Sequence, residues 1–385
     1  MAALMNPPLY RIKTGELSLE ILSSKPSSNP RLVTMTSNST NTTNPTSFVI
    51  PDLHAMTPFV SSFNPHYDKI SLQSSAWVDQ FCVLEGKQRA RYISSKTQLL
   101  TPYAYPRADE ERYRCCCDYV SILFTYDEIT DHQNEEDARL SCESSCSAME
   151  DANFDDGTAL CHMTNDFSRR LSKSCGPTTF QRFINYWKLY VNAVTKEAQL
   201  RERYEVLDPD SFEILRRDFG SVLVSLVISG YALGIDLPDE VFNHPTFAAM
   251  YLAATDMVCL SNDLYSYNVE QAAGHGGNNI LTTLMKAKNL SLQGAADYVG
   301  EHWKTLIEQY LDAKRRLPSW GEEIDKDVAQ YADAMEDWVI GSMDWSFETS
   351  RYFGDAGQEV KRTRVVHLSP SRAEDASATE VSADE

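Results

Sequence analysis

The sequence has no apolar segment long enough to cross a bilayer, no sustained alternation of apolar and polar residues, and no internal repeat. Its apolar run at 222–228 is too short, and too closely broken by Ser225, Ser229 and Gly230, to span a membrane. We therefore expect a buried core helix there. These absences argue against a membrane-spanning chain, a repeat protein and a mainly β fold, and they favour an all-α protein.

Basic residues are scarce relative to acidic ones. The 385 residues include 35 Lys and Arg against 55 Asp and Glu, which gives a net charge of −20 and a pI of about 4.8. Such a charge argues against nucleic acid or an anionic membrane surface as a partner. It does not set the sign of a substrate, because bound cations and a few well-placed arginines can hold a polyanion.

The nine cysteines do not suggest a disulfide framework. Their number is odd, and three of them are consecutive at 115–117. Because no signal peptide is recognisable either, the sequence predicts a cytoplasmic protein in a reducing compartment. Structural zinc is not expected, since the candidate ligands fit no standard spacing; they are Cys142, Cys146, Cys161 and His162.

The composition predicts one ordered domain between two disordered ends. A hydrophobic fraction of 42%, with 10% aromatic residues, is ample for a sizeable core. The run 23–47 is rich in Ser, Thr, Asn and Pro, so we expect residues 1–47 to be disordered. Residues 48–353 show no compositional break and predict a single α-helical domain. The polar, acidic segment 354–385 is expected to be a disordered tail.

Apolar residues at helical spacing predict the main helices of this domain. Asp210 or Ser211 is expected to cap the helix that carries Arg216 and Arg217. The predicted helices are 74–100, 111–131, 178–203, one that carries Arg216, Arg217 and Gly220 and continues through 222–228, one through 253–270, 292–316, and a last one over 328–352.

The helix at 111–131 is apolar along one face until it ends in a cluster of carboxylates. Asp127 and Asp131 are four residues apart and therefore lie on one side of the helix, one turn from each other, with Glu128 about 100° round the axis. Three acids in this position repel one another unless a cation lies between them. Taken alone, the string is also typical of a solvated, acidic helix end.

A second cluster of oxygen donors follows an almost wholly apolar run at 253–260. Asn262, Ser266 and Glu270 are spaced at i, i+4 and i+8 and share one helix face. Polar groups on a buried face need partners, because an unpaired one costs several kcal/mol. An amide, a hydroxyl and a carboxylate suit a hard divalent cation such as Mg²⁺, which binds through one or two carboxylates together with substrate phosphates.

These two strings resemble the metal-binding motifs of the class I terpene synthases, and in particular of the fungal sesquiterpene synthases. The first is similar to their D-[DEN]-x-x-D motif, and the second to N-D-x-x-S-x-x-x-E, with Asp263 in its second place. Family members often have Lys or Arg before the final Glu, where this chain has Val269. Two further matches, in order along the residues 48–353 that the resemblance covers, are the pairs Arg216-Arg217 and Arg351-Tyr352.

The resemblance implies an antiparallel helical bundle around a central apolar cavity, with both metal motifs at its open end. It also implies a lyase that ionises farnesyl diphosphate with three Mg²⁺ ions and cyclises the carbocation to a sesquiterpene hydrocarbon or alcohol. The metal ligands would be Asp127, Glu128, Asp131, Asn262, Ser266 and Glu270. The diphosphate would be held by Arg216 or Arg217, Arg351 and Tyr352. The protein would act as a monomer or a homodimer.

The carbocation must be kept from water and held against apolar and aromatic side chains. Phe124 lies one turn before Asp127, and Trp345 lies two turns before Tyr352, so both are candidates for the cavity wall, as are Leu123 and Tyr92. Each aromatic is equally consistent with an ordinary core position. The glycine-rich stretch 273–279 is either a linker or a segment that closes the site.

Two other functions remain open on the sequence alone. A chain-elongating prenyltransferase would share the first motif, but a second aspartate-rich motif is expected of it where 262–270 stands. A catalytically silent helical protein that binds prenyl diphosphates would keep the scaffold without the ligands. The intact set of oxygen donors argues against the silent protein.

Overall fold

A computed structural model describes residues 9–11, 20–22 and 45–370 of the chain, and these residues form a mostly α-helical structure. The helices are α1 (Leu53–Met56), α2 (Tyr67–Asp79), α3 (Gly86–Ser94), α4 (Leu100–Ala104), α5 (Glu110–Thr130), α6 (Glu135–Glu150), α7 (Ala159–Ser174), α8 (Pro177–Glu202), α9 (Pro209–Phe219), α10 (Val222–Leu233), α11 (Asp239–Phe242), α12 (Pro245–Ala273), α13 (Ile280–Lys288), α14 (Leu292–Arg315), α15 (Glu322–Glu348), α16 (Ser350–Phe353) and α17 (Gly357–Thr363). Four short strands form two antiparallel pairs: β1 (Leu9–Arg11) with β2 (Glu20–Leu22), and β3 (Ser47–Val49) with β4 (Val365–His367).

The two helices that carry the predicted metal ligands are long and mostly buried. Helix α5 begins where the Asp109 side chain accepts a hydrogen bond from the backbone N–H of Arg112, over 2.9 Å, as an N-cap does. Helix α12 has Pro245 in its first turn and ends at Ala273, and the following Gly274, with a φ of 84°, is its C-cap. Both are anchored along their length: α5 packs against α2, α7 and α10, and α12 against α14 and α15.

The core fills the space between these helices with aromatic and aliphatic side chains. Trp187 and Tyr190 on α8 pack against Tyr126 on α5, Phe183 stacks on Trp187, and all four are buried. Among the described helices, none is both long and apolar enough to cross a membrane. The apolar segment 222–228 forms the buried first half of α10, as the sequence predicts.

The predicted helix over 74–100 is wrong, because the chain breaks into α2, α3 and α4. Helix α2 begins earlier, at Tyr67, and ends at Asp79. Cys82 and Gly86 then adopt left-handed backbone angles, with φ of 52° and 50°, which a continuous helix cannot contain. Lys96 adopts a further left-handed angle before α4.

The segment predicted as one helix from Asp210 or Ser211 through 228 is two helices, α9 and α10. Ser221 has a φ of 60°, so the helical backbone cannot pass through it. Gly220 precedes it, and a Cβ there would lie 2.7 Å from the backbone carbonyl oxygen of Arg216, so no larger residue fits without a shift. The N-cap also differs from the prediction: Asp208 accepts the hydrogen bond from the Ser211 N–H over 3.1 Å, and Pro209 follows it.

The last predicted helix, 328–352, ends earlier than expected. Helix α15 stops at Glu348, and Thr349 has an extended conformation with ψ of 149°. The Thr349 hydroxyl then accepts a hydrogen bond from the Arg351 N–H over 3.2 Å and caps the short helix α16. Tyr352 therefore lies on α16 and not on the helix that carries Trp345.

The boundary predicted at residue 353 is also wrong, because residues 354–370 are ordered. Helix α17 packs against α15, and β4 pairs with β3 in the register Phe48 opposite Val366. Both of these side chains are buried, so the tail contributes apolar area that its acidic composition conceals. At the other end, β1 and β2 lie in the segment predicted to be disordered. The rest of 1–44, and 371–385, lie outside the described residues.

Candidate active site

A cavity of about 370 Å³ opens between the last turn of α5, helix α8, the α9–α10 break, helix α12 and the α15–α16 junction. It gathers residues that are far apart in the chain. The predicted site residues that line it are Leu123, Phe124, Asp127, Glu128, Asp131, Arg216, Asn262, Ser266, Glu270, Trp345, Arg351 and Tyr352.

The acidic side of the cavity is formed by the end of α5. Asp127 accepts a hydrogen bond at Oδ2 from Nη2 of Arg351 over 2.5 Å, and Glu128 is paired with Arg91 of α3 at 2.7 Å. Asp131 is the C-cap of the helix. Its burial, and then the negative charges of Asp127 and Glu197, raise the pKa of Asp131 well above its usual value. This side of the cavity has an excess of negative charge that a cation would relieve.

The opposite side is formed by α12, where Asn262 occupies a central position. Its Oδ1 accepts a hydrogen bond from Nη2 of Arg216, and its Nδ2 donates to the Tyr352 hydroxyl, both over 2.8 Å. One amide therefore joins the two groups that the sequence predicts for the diphosphate. An amide orientation of this kind follows from the hydrogen-bond network around it.

Farther along α12, the Ser266 hydroxyl is buried and lies close enough to Glu270 to donate a hydrogen bond to its carboxylate. Glu270 accepts a hydrogen bond at Oε2 from Nδ2 of Asn279 over 2.9 Å. Burial, and then the charge of Asp263, raise the pKa of Glu270 to about 7. A buried hydroxyl beside a carboxylate with a raised pKa offers two oxygen donors that suit a hard cation.

The donor types on both sides suit a hard divalent metal ion. They are carboxylate, amide and hydroxyl oxygens, which Mg²⁺ and similar ions prefer over the nitrogen and sulfur ligands of zinc sites. Burial and neighbouring carboxylates raise the pKa of Glu270 and Asp131, and a divalent ion would offset this crowding of negative charge. The residues present therefore fit a divalent metal.

The two adjacent arginines of α9 have different environments. Arg216 lines the cavity and donates from Nε to Oδ1 of Asp263 over 2.8 Å. Burial opposes its charge, but the nearby Asp263 carboxylate offsets this and raises the pKa of Arg216 above its ordinary value. Arg217 does not line the cavity. It makes a bidentate contact with Asp256, at 2.6 and 2.7 Å, so of the two arginines it is Arg216 that faces the cavity.

The aromatic wall contains Phe124 and Trp345, whose ring centroids are 5.7 Å apart. Trp345 also packs edge-on against Tyr352, at 5.6 Å, and the Arg351 guanidinium lies over the Phe124 ring at 5.3 Å. Tyr92, which the sequence suggests for this wall, is not among the lining residues. It is buried behind α5, close to Ser121 and Thr97, because α3 packs on the outer face of that helix.

Two lining residues of α8 were missed from the sequence. Glu197 and Arg201 continue the apolar stripe of Tyr190 and Val194 at helical spacing, and this is the signal that could have identified them. Burial, opposed in part by Arg201, raises the pKa of Glu197. Arg201 donates to the carbonyl oxygens of Thr130 and Gln133, both over 3.2 Å, and so caps the end of the acidic helix.

A further link that was not predicted joins α12 to the start of α13, beyond the glycine-rich stretch. Asp263 accepts a hydrogen bond at Oδ2 from the Ile280 N–H over 3.0 Å, while its other oxygen accepts from Arg216. Asn279 donates to both the Asp263 carbonyl oxygen and Glu270 over 2.9 Å. The segment 273–279 is therefore held at its carboxyl end by the same residues that orient Arg216 and Glu270.

Comparisons with known proteins agree with this geometry. Residues 118–309 match the family model described as terpene synthase family 2, C-terminal metal binding. The chain is 40% identical over 327 residues to the bifunctional terpene synthase Agr4 of Cyclocybe aegerita, covering 85% of this chain and 94% of that protein. It is 37% identical to the viridiflorene synthase Agr2 of the same fungus, covering 86% and 88%. It is also 42% identical to a Coprinopsis cinerea protein named linoleate 10R-lipoxygenase COP4, covering 86% and 95%.

Solved structures share the same fold. The crystal structure of α-eudesmol synthase superposes with a TM-score of 0.69 at 19% identity, covering 76% of this chain and 98% of that one. Germacradien-4-ol synthase from Streptomyces citricolor superposes with a TM-score of 0.66 at 20% identity, covering 75% and 98%. At these identities the likeness concerns the fold alone.

Proposed function

This chain belongs to the terpene synthase family and is a sesquiterpene synthase, and from that premise we propose that it ionises farnesyl diphosphate with Mg²⁺ and cyclises the resulting carbocation. Its fold and its divalent-metal family place it among enzymes that act on prenyl diphosphates. The fifteen-carbon substrate, the identity and number of the metal ions, and the roles of individual residues are our proposals. The product is a cyclic hydrocarbon or alcohol together with free diphosphate.

The observation that carries this proposal is the double hydrogen bond of Asn262. It connects Arg216 of α9 to Tyr352 of α16, each over 2.8 Å, from a helix that also presents Ser266 and Glu270. The residues proposed to bind diphosphate and the residues proposed to bind metal therefore meet at the side chain of Asn262. A chance acidic cluster on a solvated helix end would not be expected to have this arrangement.

The metal ions would lie between the two oxygen-bearing sides. Asp127, Glu128 and Asp131 would hold cations from α5, and Asn262, Ser266 and Glu270 would hold one from α12. We propose three Mg²⁺ ions, following the family resemblance. When bound, Mg²⁺ acts as a Lewis acid that stabilises the charge developing on the departing diphosphate.

The side chains of the protein supply the remaining stabilisation. Arg216 and Arg351 place guanidinium groups in the cavity, where charge-assisted hydrogen bonds to phosphate oxygens are strong and directional. Burial raises the pKa of Tyr352 to about 12, so its hydroxyl stays protonated and is available as a donor. These donors are already held by Asp127, Asp263 and Asn262, so little reorganisation is required when the substrate arrives.

Below the polar mouth, the cavity is lined by apolar and aromatic side chains. Leu123, Phe124 and Trp345 exclude water from the carbocation, and each aromatic face favours a nearby positive charge by about 0.5–2 kcal/mol. The Arg351 guanidinium over Phe124 occupies a position where such a contact is already made. These residues are therefore proposed to direct cyclisation rather than ionisation.

Two alternatives differ from this proposal in their products. A chain-elongating prenyltransferase is disfavoured, because an amide, a hydroxyl and a single carboxylate stand where a second aspartate-rich motif is expected. The name of the Coprinopsis relative describes a different reaction, but the oxygen donors of this cavity and the family match both support terpene synthesis.

The test is to incubate the purified chain with farnesyl diphosphate and Mg²⁺ and to analyse the organic extract by gas chromatography and mass spectrometry. A cyclic fifteen-carbon hydrocarbon or alcohol that disappears with a chelator and returns with added Mg²⁺ is expected. Parallel reactions use geranyl and geranylgeranyl diphosphates, and farnesyl diphosphate with isopentenyl diphosphate. A longer prenyl diphosphate, or no product from any substrate, would contradict the proposal.

A further inference from the structure

The chain does not end at α16 but continues as residues 357–369, which we call the C-terminal strap. Its first part, α17, is fixed to the outer side of α15. Lys361 donates to Oδ1 of Asp344 over 2.9 Å, and Gln358 donates to the Phe347 carbonyl oxygen over 3.3 Å. That same carbonyl oxygen lies so close to Gly357 that no side chain fits there. The start of the strap is thus tightly held just after Arg351 and Tyr352.

The middle of the strap is β4, which is covered by β3. The strand pair is extended at both ends by backbone hydrogen bonds of 2.9 Å, from Ile50 to the Arg364 carbonyl oxygen and from Leu368 to that of Thr46. Phe48 of β3 packs edge-on against Tyr267 of α12, with ring centroids 5.9 Å apart. The strand pair therefore lies directly on the helix that carries the second ligand set.

The end of the strap is bound by two side chains of α12. The Ser369 N–H donates to Oδ1 of Asn268 over 2.6 Å, and the Ser369 carbonyl oxygen accepts from Nε2 of Gln271 over 2.8 Å. Gln271 also donates to the Asn268 carbonyl oxygen over 3.1 Å, which holds its amide in place. Side chains of α12 thus bind both the N–H and the carbonyl oxygen of Ser369, and the Asn268 side chain that binds the N–H is largely buried.

Asn268 lies between two predicted metal ligands, Ser266 and Glu270, but on another face of the helix. Residues two apart on an α-helix are about 200° apart round the axis, so Asn268 points away from the cavity that its neighbours line. The strap therefore holds the ligand-bearing turn of α12 from behind. Through α17 and α16 it is covalently continuous with Arg351 and Tyr352.

We propose that the C-terminal strap is a positioning element, which uses Asn268 and Gln271 to fix the ligand-bearing turn of α12 relative to Arg351 and Tyr352. This inference rests on the proposed function, because it concerns the distance between the proposed metal ligands of α12 and the proposed diphosphate-binding residues, Arg351 and Tyr352. A misplacement of about 1 Å at such a site can cost about 100-fold in rate. Asn268 lies two residues from a proposed ligand on either side, Ser266 and Glu270, so its bond to the strap acts through them and not on the substrate.

The test uses a matched pair of substitutions in the full chain, Ser369→Pro and Ser369→Ala. Proline removes the backbone N–H that donates a hydrogen bond to Asn268, whereas alanine keeps both the N–H and the carbonyl group of residue 369. Ser369 already precedes Pro370, which restricts it to extended conformations. The measurements are the affinity for inorganic diphosphate in the presence of Mg²⁺ by calorimetry, the Mg²⁺ concentration that gives half-maximal turnover, and Tm.

For Ser369→Pro we expect the Kd for diphosphate with Mg²⁺ and the half-saturating Mg²⁺ concentration to rise about tenfold, as for the loss of a residue that orients a metal ligand. Tm should fall by less than about 3 °C. Ser369→Ala should match the parent. Equal binding and Mg²⁺ dependence in the two variants, or a lower Tm without a change in Kd, would overturn the inference.

Asn268→Leu removes the same hydrogen bond from the opposite side. Because both substitutions break one contact, the double variant Asn268→Leu with Ser369→Pro should be no worse than either single variant. Fully additive effects would show that Asn268 acts independently of the strap and would contradict the inference. If the parent itself fails to bind diphosphate with Mg²⁺, the proposed function fails and this inference with it, whereas a failure confined to the variants leaves the proposed function standing.

Discussion

Arg351 donates a hydrogen bond from Nη2 to Oδ2 of Asp127 over 2.5 Å, and this contact joins residues 224 positions apart in the sequence. It brings the first acidic motif to the short helix α16 across the mouth of the cavity. Burial opposes the charge of Arg351, but Asp127 offsets it and raises the pKa of Arg351 above its ordinary value. A carboxylate proposed to bind metal and an arginine proposed to bind diphosphate therefore stabilise each other before either ligand is present.

Replacing Asp127 by Asn is expected to lower turnover at least about 100-fold, because an amide is a poor substitute for a carboxylate ligand and loses its pairing with Arg351. The fold should persist, since Asp127 is partly exposed and makes no core contact that Asn cannot fill. Steady-state kinetics with farnesyl diphosphate and a circular dichroism melt would measure both effects. Glu111→Gln, an exposed acid in the first turn of the same helix, is the control and should match the parent.

The adjacent arginines offer a matched pair, Arg216→Lys and Arg217→Lys. Arg216→Lys keeps a positive charge beside Asp263 but loses the contact with Asn262, so we expect kcat to fall about 100-fold, as when a preorganised donor is removed. Arg217→Lys loses half of its bidentate contact with the partly buried Asp256 and should cost about 1.5–3 kcal/mol of unfolding free energy. Its kcat should stay within about threefold of the parent. If instead Arg217→Lys lowers kcat and Arg216→Lys lowers only stability, the diphosphate contact would be assigned to Arg217.

The periodicity of the sequence predicted the two ligand-bearing helices well, because their apolar faces and oxygen spacing are local properties. It did not separate Arg216 from Arg217, since the choice depends on the break at Ser221, where a non-glycine residue takes a left-handed angle. The same limit applies to Thr349, whose capping geometry starts a new helix and redirects Tyr352. Such breaks are stabilised by contacts with distant helices and leave little trace in local composition.

The ordered C-terminal strap escaped prediction for a different reason. Its buried apolar residues, such as Val366, are few and lie among charged ones, so its composition resembles that of a disordered tail. The pairing that orders it is with Phe48, at the opposite end of the domain.

Tyr92 was predicted to line the cavity and does not. Its apolar position was recognised, but the packing of α3 on the outside of α5 decides that it faces away from the cavity.

His302 of α14 gives a prediction about pH and stability. Its Nε2 lies 3.4 Å from Oε1 of Glu213 on α9, and this hydrogen bond raises the pKa of His302 above its ordinary value despite partial burial. A folded-state pKa above the unfolded one means that the pair stabilises the fold fully below pH of about 6.5, and that this contribution is lost as the pH rises through the folded pKa. Asp256 and Arg217 also face the imidazole and act in opposite directions.

We therefore expect His302→Gln to lower Tm by about 1–2 °C at pH of about 5.5, and by less at pH of about 8.5. Thermal unfolding of the parent and the variant across this range measures the difference. A difference that stays constant or grows with pH would show that the imidazole stabilises the fold by packing rather than by charge.

Trp345 tests the proposed separation between ionisation and cyclisation. Its ring lies between Phe124 and Tyr352, with centroids 5.7 and 5.6 Å away, and its Nε1 donates to the Lys96 carbonyl oxygen over 3.3 Å. Trp345→Leu removes an aromatic face from the wall but leaves the predicted metal ligands and the arginines in place. Because the carbocation reaches that wall only after diphosphate has departed, the product mixture should change more than the rate of diphosphate release. We expect the major product to lose at least half of its share while kcat for diphosphate release stays within about tenfold of the parent.

Trp303→Leu is the control, since Trp303 is a fully buried tryptophan of α14 outside the cavity, and it should lower Tm without altering the products. Gas chromatography of the extracts and a coupled diphosphate assay give both quantities, and an unchanged product profile would return Trp345 to a purely structural role.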